Sequence, residues 1–183
     1  MTDAPQWLRD FVVESNLIEN IHGVSSADID AHLTLLELSY VGVEDLALFV
    51  RSVAGDHHSL REAVGQDVRV GFYLPPPGGP EIRRKLVDIL NTKVGECLPL
   101  HVDTPFDNHL RYECLHPFTD GNGRSGRALW LWQMLNSGMF ERENATKRTF
   151  LSIFMTQAAV QGFSSFAAHR QFYFDTLAEE HPQ

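Results

Sequence analysis

Cysteine is scarce in this chain. Its 183 residues contain two, Cys97 and Cys114, which form neither a CxxC pair nor a disulfide framework. Two reduced thiols in a cytoplasmic protein are expected. Long apolar runs are missing too: no stretch approaches the roughly 20 residues that cross a bilayer. The start, MTDAPQWLRDFVVESN, lacks the basic head and apolar run of a signal peptide. No membrane partner is therefore expected. Basic residues are few, with 15 Lys and Arg against 24 Asp and Glu, for a formal net charge of −9. Affinity for phosphate backbones rests on accumulated positive charge, so no nucleic-acid partner is expected. A nucleotide site needs only a few local cations and stays open. Internal repeats and low-complexity linkers are absent, as are the Walker pattern GxxxxGK[ST] and the zinc pattern HExxH. An apolar share of 43% against 21% charged excludes a disordered chain and suffices for one domain with a hydrophobic core.

Most of the chain carries a helical period. Trp7, Leu8, Phe11 and Val12 share one face of a first helix running towards Glu19. Ser25 or Ser26 can cap a second, with Ile29, Leu33, Leu36 and Tyr40 inward. Gly42 interrupts; Leu46, Phe49, Val50 and Val53 resume until Gly55. The stretch VRVGFYL at 68–74 is β-branched and aromatic and is stopped by Pro75, Pro76, Pro77, Gly78 and Gly79, so it reads as a short strand or hairpin. Pro80 suits the first position of the next helix, and Pro105 opens another. A strongly apolar helix is predicted from Arg124 to Asn136, followed by two more helices capped by Asn144 and by Ser164 or Ser165. The sequence thus predicts an all-α domain with one short β element.

The chemistry concentrates at residues 116–127, HPFTDGNGRSGR. Gly121 and Gly123 flank Asn122, so the backbone can turn and expose successive N–H groups, a concavity that binds anions. The helix that follows adds its N-terminal N–H groups and dipole to the same field. Arg124 and Arg127 are three apart on that helix and share a face, from which both can fork onto phosphate oxygens. Asp120 enters the loop beside them; a lone carboxylate next to phosphates suits Mg²⁺, which keeps waters and takes its other ligands from a nucleotide. His116, at the other end, is the nearby base that can take a proton from an attacking hydroxyl at neutral pH. These parts describe phosphoryl chemistry. A lone Gly-Asn-Gly would be an ordinary turn between helices; six specified residue types at fixed spacing are not explained that way.

Residues 116–127 resemble the Fic signature, His-x-Phe-x-Asp/Glu-Gly-Asn-Gly-Arg-x-x-Arg, at every defined position. The resemblance implies a compact Fic-type helical domain with a β-hairpin flap, taking ATP as co-substrate with Mg²⁺ and moving AMP onto a Ser, Thr or Tyr hydroxyl of a protein target. It implies that His116 deprotonates that hydroxyl and that Asp120 holds Mg²⁺. Gly121, Asn122 and Gly123 then form the anion hole, Arg124 and Arg127 bind phosphates, and Phe118 anchors the loop. His109, seven residues before His116, is read as structural. The stretch from Leu60-Arg61 to Ile82 resembles the flap over the site, whose edge can pair with an extended target segment. His169-Arg170 and Tyr173 resemble a segment at the adenine end of the pocket, with His169 standing where an asparagine is usual.

Residues 15–20, SNLIEN, fit the family's inhibitory pattern Ser/Thr-x-x-x-Glu-Gly/Asn. Ser15 and Glu19 are four apart and present side by side on a helix. A glutamate aimed at Arg127 would form a charge-assisted pair and take the place of a γ-phosphate, leaving ATP misplaced for in-line attack. A solvated Glu at a helix end would carry the same residues. Residues 1–24 are read as the N-terminal inhibitory helix and 25–183 as the catalytic domain, within one compact unit. Homo-oligomer formation stays open, as do removal of AMP from a modified target and transfer of UMP or phosphocholine on the same scaffold; the Gly121-Asn122-Gly123-Arg124 run argues against γ-phosphate transfer, and the intact His116 and Asp120 argue against a catalytically quiet nucleotide-binding module. A transition-metal site is not expected from the nine histidines, since adjacent His57 and His58 would point apart on a regular element. Trp130 and Trp132 are read as packing.

Overall fold

A computed structural model describes residues 4–71, 73–94 and 104–136. The described chain is all-α: α1 (Gln6–Ile18), α2 (Ser26–Glu37), α3 (Val43–Ala54), α4 (Pro80–Leu90), α5 (Pro105–Leu115) and α6 (Asn122–Asn136). Its helix starts follow local chemistry. The Ser25 hydroxyl accepts the Asp28 N–H at 3.0 Å while the Asp28 carboxylate accepts the Ser25 N–H at 2.9 Å, a reciprocal cap. Thr104 and Asp107 repeat it before α5. Pro80 and Pro105 occupy first-turn positions, where a missing N–H costs nothing.

Helix α6 is the axis of the fold. It packs against α5, α3, α2 and α1. Leu129, Trp130 and Leu131 are buried in succession, which requires a helix covered on several faces. On one side Leu8, Phe11 and Val12 of α1 and Leu36 of α2 meet Trp130 and Met134. On the other, Leu46 and Val50 of α3, Ile82 and Leu86 of α4 and Leu115 of α5 meet Ala128 and Leu129. Each of the fully buried aliphatic and aromatic side chains contributes about 1.5–3 kcal/mol. The N-terminal helix is therefore part of the core. Among the described residues, no helix is long and apolar enough to cross a membrane.

Three sequence expectations change. The β element is smaller than its composition suggests: Val70 and Tyr73 exchange main-chain hydrogen bonds of 3.0 and 2.9 Å, and no longer strand forms among the described residues. Tyr73 turns into the protein, donating its hydroxyl to the Cys114 carbonyl at 2.8 Å, and Pro75–Pro77 supply no N–H for a ladder. A second bridge joins Leu60 to Phe118 and ties the flap's stem to the motif loop. Tyr40 lies beyond α2 and is exposed. Helix α6 starts at Asn122, two residues before Arg124, because Gly121 takes φ +74° and turns the chain just ahead of it. The helices expected after Asn144 and Ser164 lie outside the described residues, as do His169, Arg170 and Tyr173.

Candidate active site

Two helix ends meet to make the site. Helix α5 ends at His116, whose backbone is left-handed with φ 48° and ψ 62°. Helix α6 begins six residues later, and its first-turn N–H groups have no acceptor within the helix. The loop between them is pinned. The Asn122 side chain closes on the Phe118 backbone, its Oδ1 accepting the Phe118 N–H and its Nδ2 donating to the Phe118 carbonyl, both at 2.8 Å. The Asn122 side chain is thus a clasp on the Phe118 backbone. Phe118 is fully buried against α3, α4 and α6 and anchors the loop from the other direction. Ser125 Oγ donates to the Gly121 carbonyl at 2.8 Å and shares a 2.7 Å hydrogen bond with the Tyr112 hydroxyl, joining α6 to α5.

Helix α1 delivers two further groups to this point. It ends with Asn20 in the left-handed region (φ 59°), while the Ile21 N–H reaches back to the Asn16 carbonyl at 2.9 Å. Asparagine tolerates that conformation, so the turn halts the helix and leaves Glu19 at its tip. Glu19 Oε1 then accepts from Arg127 Nη2 at 2.8 Å. Ser15 completes the clamp, with its hydroxyl accepting from Arg127 Nε at 2.9 Å and its carbonyl from Nη2 at 2.9 Å. A Cβ placed on Gly123 would clash with Glu19 Oε1. The carboxylate therefore lies over the first turn of α6, where an anion is favoured by the dipole and the exposed N–H groups. The structure brings Ser15, Glu19, Gly123 and Arg127 together.

Arg124 points elsewhere. Its Nη1 donates to the Val53 carbonyl at the end of α3, at 2.5 Å. Asp120 is exposed, with Oδ1 accepting the Gly121 N–H at 2.6 Å and Oδ2 3.6 Å from His58 Nε2. His57 and His58 do not point apart as expected: they occupy an irregular turn and their ring centroids are 3.9 Å apart. Among the described residues, no group of three or more His, Cys, Asp or Glu side chains could hold a metal ion. One exposed carboxylate beside an anion cradle fits Mg²⁺ brought in with phosphates, and does not fit a metal held by protein alone.

The electrostatics favour a neutral His116 imidazole. Burial, and then the Arg61 charge, lower the His116 pKa from 6.5 to about 4, against the raising effects of a Glu113 backbone hydrogen bond, Glu19 and Asp120. His116 is therefore unprotonated near neutral pH. His109 is fully buried, and burial and then Arg127 lower it to about 3, which suits a packing role. Glu113, missed by sequence reasoning, lies beneath the site. Burial raises its pKa to about 8, opposed by Arg127, while Glu19 pushes the same way as burial. Arg61 was also missed; it is buried at the junction of flap and loop, and no spacing rule marks a lone arginine as a hub for main-chain carbonyls.

The family model of the Fic/DOC family matches residues 102–134, which contain α5, the loop and most of α6. The match supports a Fic domain here, and with it a Fic-type transferase in general. No curated protein matches the chain.

Proposed function

We propose that this chain is a protein adenylyltransferase whose activity is restrained by Glu19. The observation that carries the reading is the seat of a carboxylate on Arg127 and over Gly123, the position that a nucleotide phosphate would take. An anion cradle already filled by the protein's own anion supports both a phosphate site and a restraint on it.

In this reading ATP enters with its phosphates over the α6 N-terminus, met by the N–H groups of the 121–123 segment and by Arg127. Arg124 would leave the Val53 carbonyl to join them. Mg²⁺, held by Asp120 and the phosphates, would offset charge on the leaving group. A hydroxyl of the target protein attacks the α-phosphorus, His116 takes its proton, and pyrophosphate departs with the bond to the β-phosphate's bridging oxygen broken. His116 is suited to this because it is neutral and because a hydrogen bond to the Glu113 backbone orients its ring. The flap from residues 60–79 would align an extended stretch of the target by main-chain pairing. With Glu19 in place the phosphates are displaced, and a shift of about 1 Å is enough to cost a large factor in rate.

Intact-mass spectrometry of the Glu19→Gly protein after incubation with ATP and Mg²⁺ tests this. The expected product is the chain, or a lysate protein, heavier by one AMP, and its absence when His116→Ala is added. A mass gain of a phosphoryl group, of UMP from UTP or of phosphocholine would assign a different transfer to the same scaffold. ATP binding without any product would make the chain a nucleotide-binding module.

A further inference from the structure

Arg61 is fully buried, yet its guanidinium is spent on four main-chain carbonyls. Nε donates to His116 at 2.7 Å, Nη2 to Leu115 at 2.9 Å, and Nη1 to Gln66 at 3.1 Å and Pro76 at 3.0 Å. Its own N–H donates to the Pro117 carbonyl and its carbonyl accepts the Gly79 N–H, each at 2.9 Å. Two of the side-chain acceptors close the C-terminus of α5, where a cation is favoured by the helix dipole. The other two, Gln66 and Pro76, bracket the hairpin at Val70 and Tyr73.

This arrangement bears on His116. A left-handed histidine is strained and persists only where its surroundings over-determine it. Here the His116 N–H is held by the Tyr112 carbonyl at 2.9 Å, its carbonyl by Arg61 Nε, and the following carbonyl by the Arg61 N–H. One planar group thus fixes the backbone of the proposed base and both stems of the flap. A lysine offers a single point of charge and cannot reproduce a fork that reaches three chain segments.

We propose that Arg61 is a positioning residue for the transfer reaction: its guanidinium sets the direction of the His116 imidazole and couples that direction to the seating of the flap. The idea rests on reading His116 as the base, so its first test needs no transfer. The charged groups facing the His116 ring are Arg61 from the flap stem, Glu19 from α1 and Asp120 from the loop, and of these Arg61 opposes its protonation.

The test is an NMR titration of the His116 ring in the wild type, Arg61→Lys and Arg61→Met. The wild-type ring is expected to titrate at about 4. In Arg61→Met the midpoint should rise by about one unit or more as the opposing charge is lost. In Arg61→Lys the midpoint should stay low while the ring resonance moves, because charge is kept and geometry is not. In the Glu19→Gly background both variants should lose about tenfold or more in kcat with KM for ATP changed by less than about threefold. A residue that only supports the fold would lower the melting temperature and leave the ring's titration, resonance and kcat as they were; that result overturns the proposal. Should Arg61→Met fail to fold, Asp67→Ala serves, since Asp67 Oδ1 accepts the Gly78 N–H at 2.8 Å and its loss loosens the flap stem while Arg61 itself is kept. A shifted His116 resonance supports the coupling, and an unmoved one contradicts it. If the titrations behave as expected while Glu19→Gly transfers nothing, adenylyl transfer falls and the positioning role stands.

Discussion

Glu19 Oε1 lies 2.8 Å from Arg127 Nη2, an ion pair that joins the tip of the first helix to the buried first turns of the last described one. The arginine side chain is 3% exposed and the carboxylate 37%, so the pair is dry on one side and wet on the other. Such a contact holds a helix in register yet can be displaced by a stronger anion. Triphosphate is one, because it brings more charge and more acceptors to the same guanidinium.

The Ser15 contacts make a graded series. Glu19→Gly should raise AMP incorporation most, Glu19→Gln less, and Ser15→Ala least, since Ser15→Ala leaves the ion pair and the Ser15 carbonyl in place. Stability should fall by about 1 kcal/mol or less in Glu19→Gly, because a partly exposed carboxylate is screened by water. Labelled-nucleotide incorporation and denaturant melts on the same preparations check the order.

Two glycines in α6 should respond differently to alanine. A Cβ on Gly126 would clash with Glu113 Oε1 and lie 2.9 Å from the Tyr112 ring and 3.1 Å from His109 Nδ1, all in a closed core. Gly126→Ala should cost about 1–3 kcal/mol. A Cβ on Gly123 meets the far end of Glu19, which can swing away. Gly123→Ala should change the melting temperature little, weaken ATP binding and release Glu19, seen as faster proteolysis near the end of α1.

Loss of the Asn122 clasp should be severe. Asn122→Ala strands a buried N–H and carbonyl of Phe118. A cost of about 2–3 kcal/mol is expected from two such groups, and chemical denaturation measures it.

Stability should peak near pH 6.5. His32, His109 and His116 have folded pKa values of about 4, 3 and 4 against 6.5 unfolded, so below pH 6.5 the unfolded chain takes up protons that the folded one refuses. Glu113 runs the other way, with a folded value of about 8 against 4.5. Between pH 4.5 and 6.5 the three histidines outweigh the one carboxyl and stability rises with pH. From 6.5 to 8 only Glu113 acts, the folded state holds the extra proton, and stability falls. Glu113→Gln should flatten the alkaline fall and steepen the rise between pH 4.5 and 6.5, where the carboxyl opposes the histidines; thermal melts across pH 4–9 test both.

Much of this was readable from residues alone, for physical reasons that can be named. Caps and breakers act locally, so Ser25, Gly42, Gly55, Pro80 and Pro105 marked helix bounds correctly. The loop at 116–127 was readable because its residue types are fixed by backbone turn and charge. The β element at 68–74 is legible only in outline, since β-branched composition does not show that Tyr73 turns inward to Cys114. The acceptor of Arg124 on Val53 and the carbonyl hub at Arg61 depend on partners far along the chain. Periodicity carries no information about those pairings. Glu113 escaped for the same reason: a glutamate on a helix reads as solvated until α6 covers it.

The most direct measurement compares label transfer from ATP carrying the label on the α-phosphate, with wild type, Glu19→Gly and Glu19→Gly/His116→Ala side by side. The expected result is covalent label in Glu19→Gly at about tenfold or more above wild type, none in the double variant, and none when the label sits on the γ-phosphate. Equal labelling of wild type and Glu19→Gly, or label that follows the γ-phosphate, would contradict a restraint on AMP transfer built from Glu19 and Arg127.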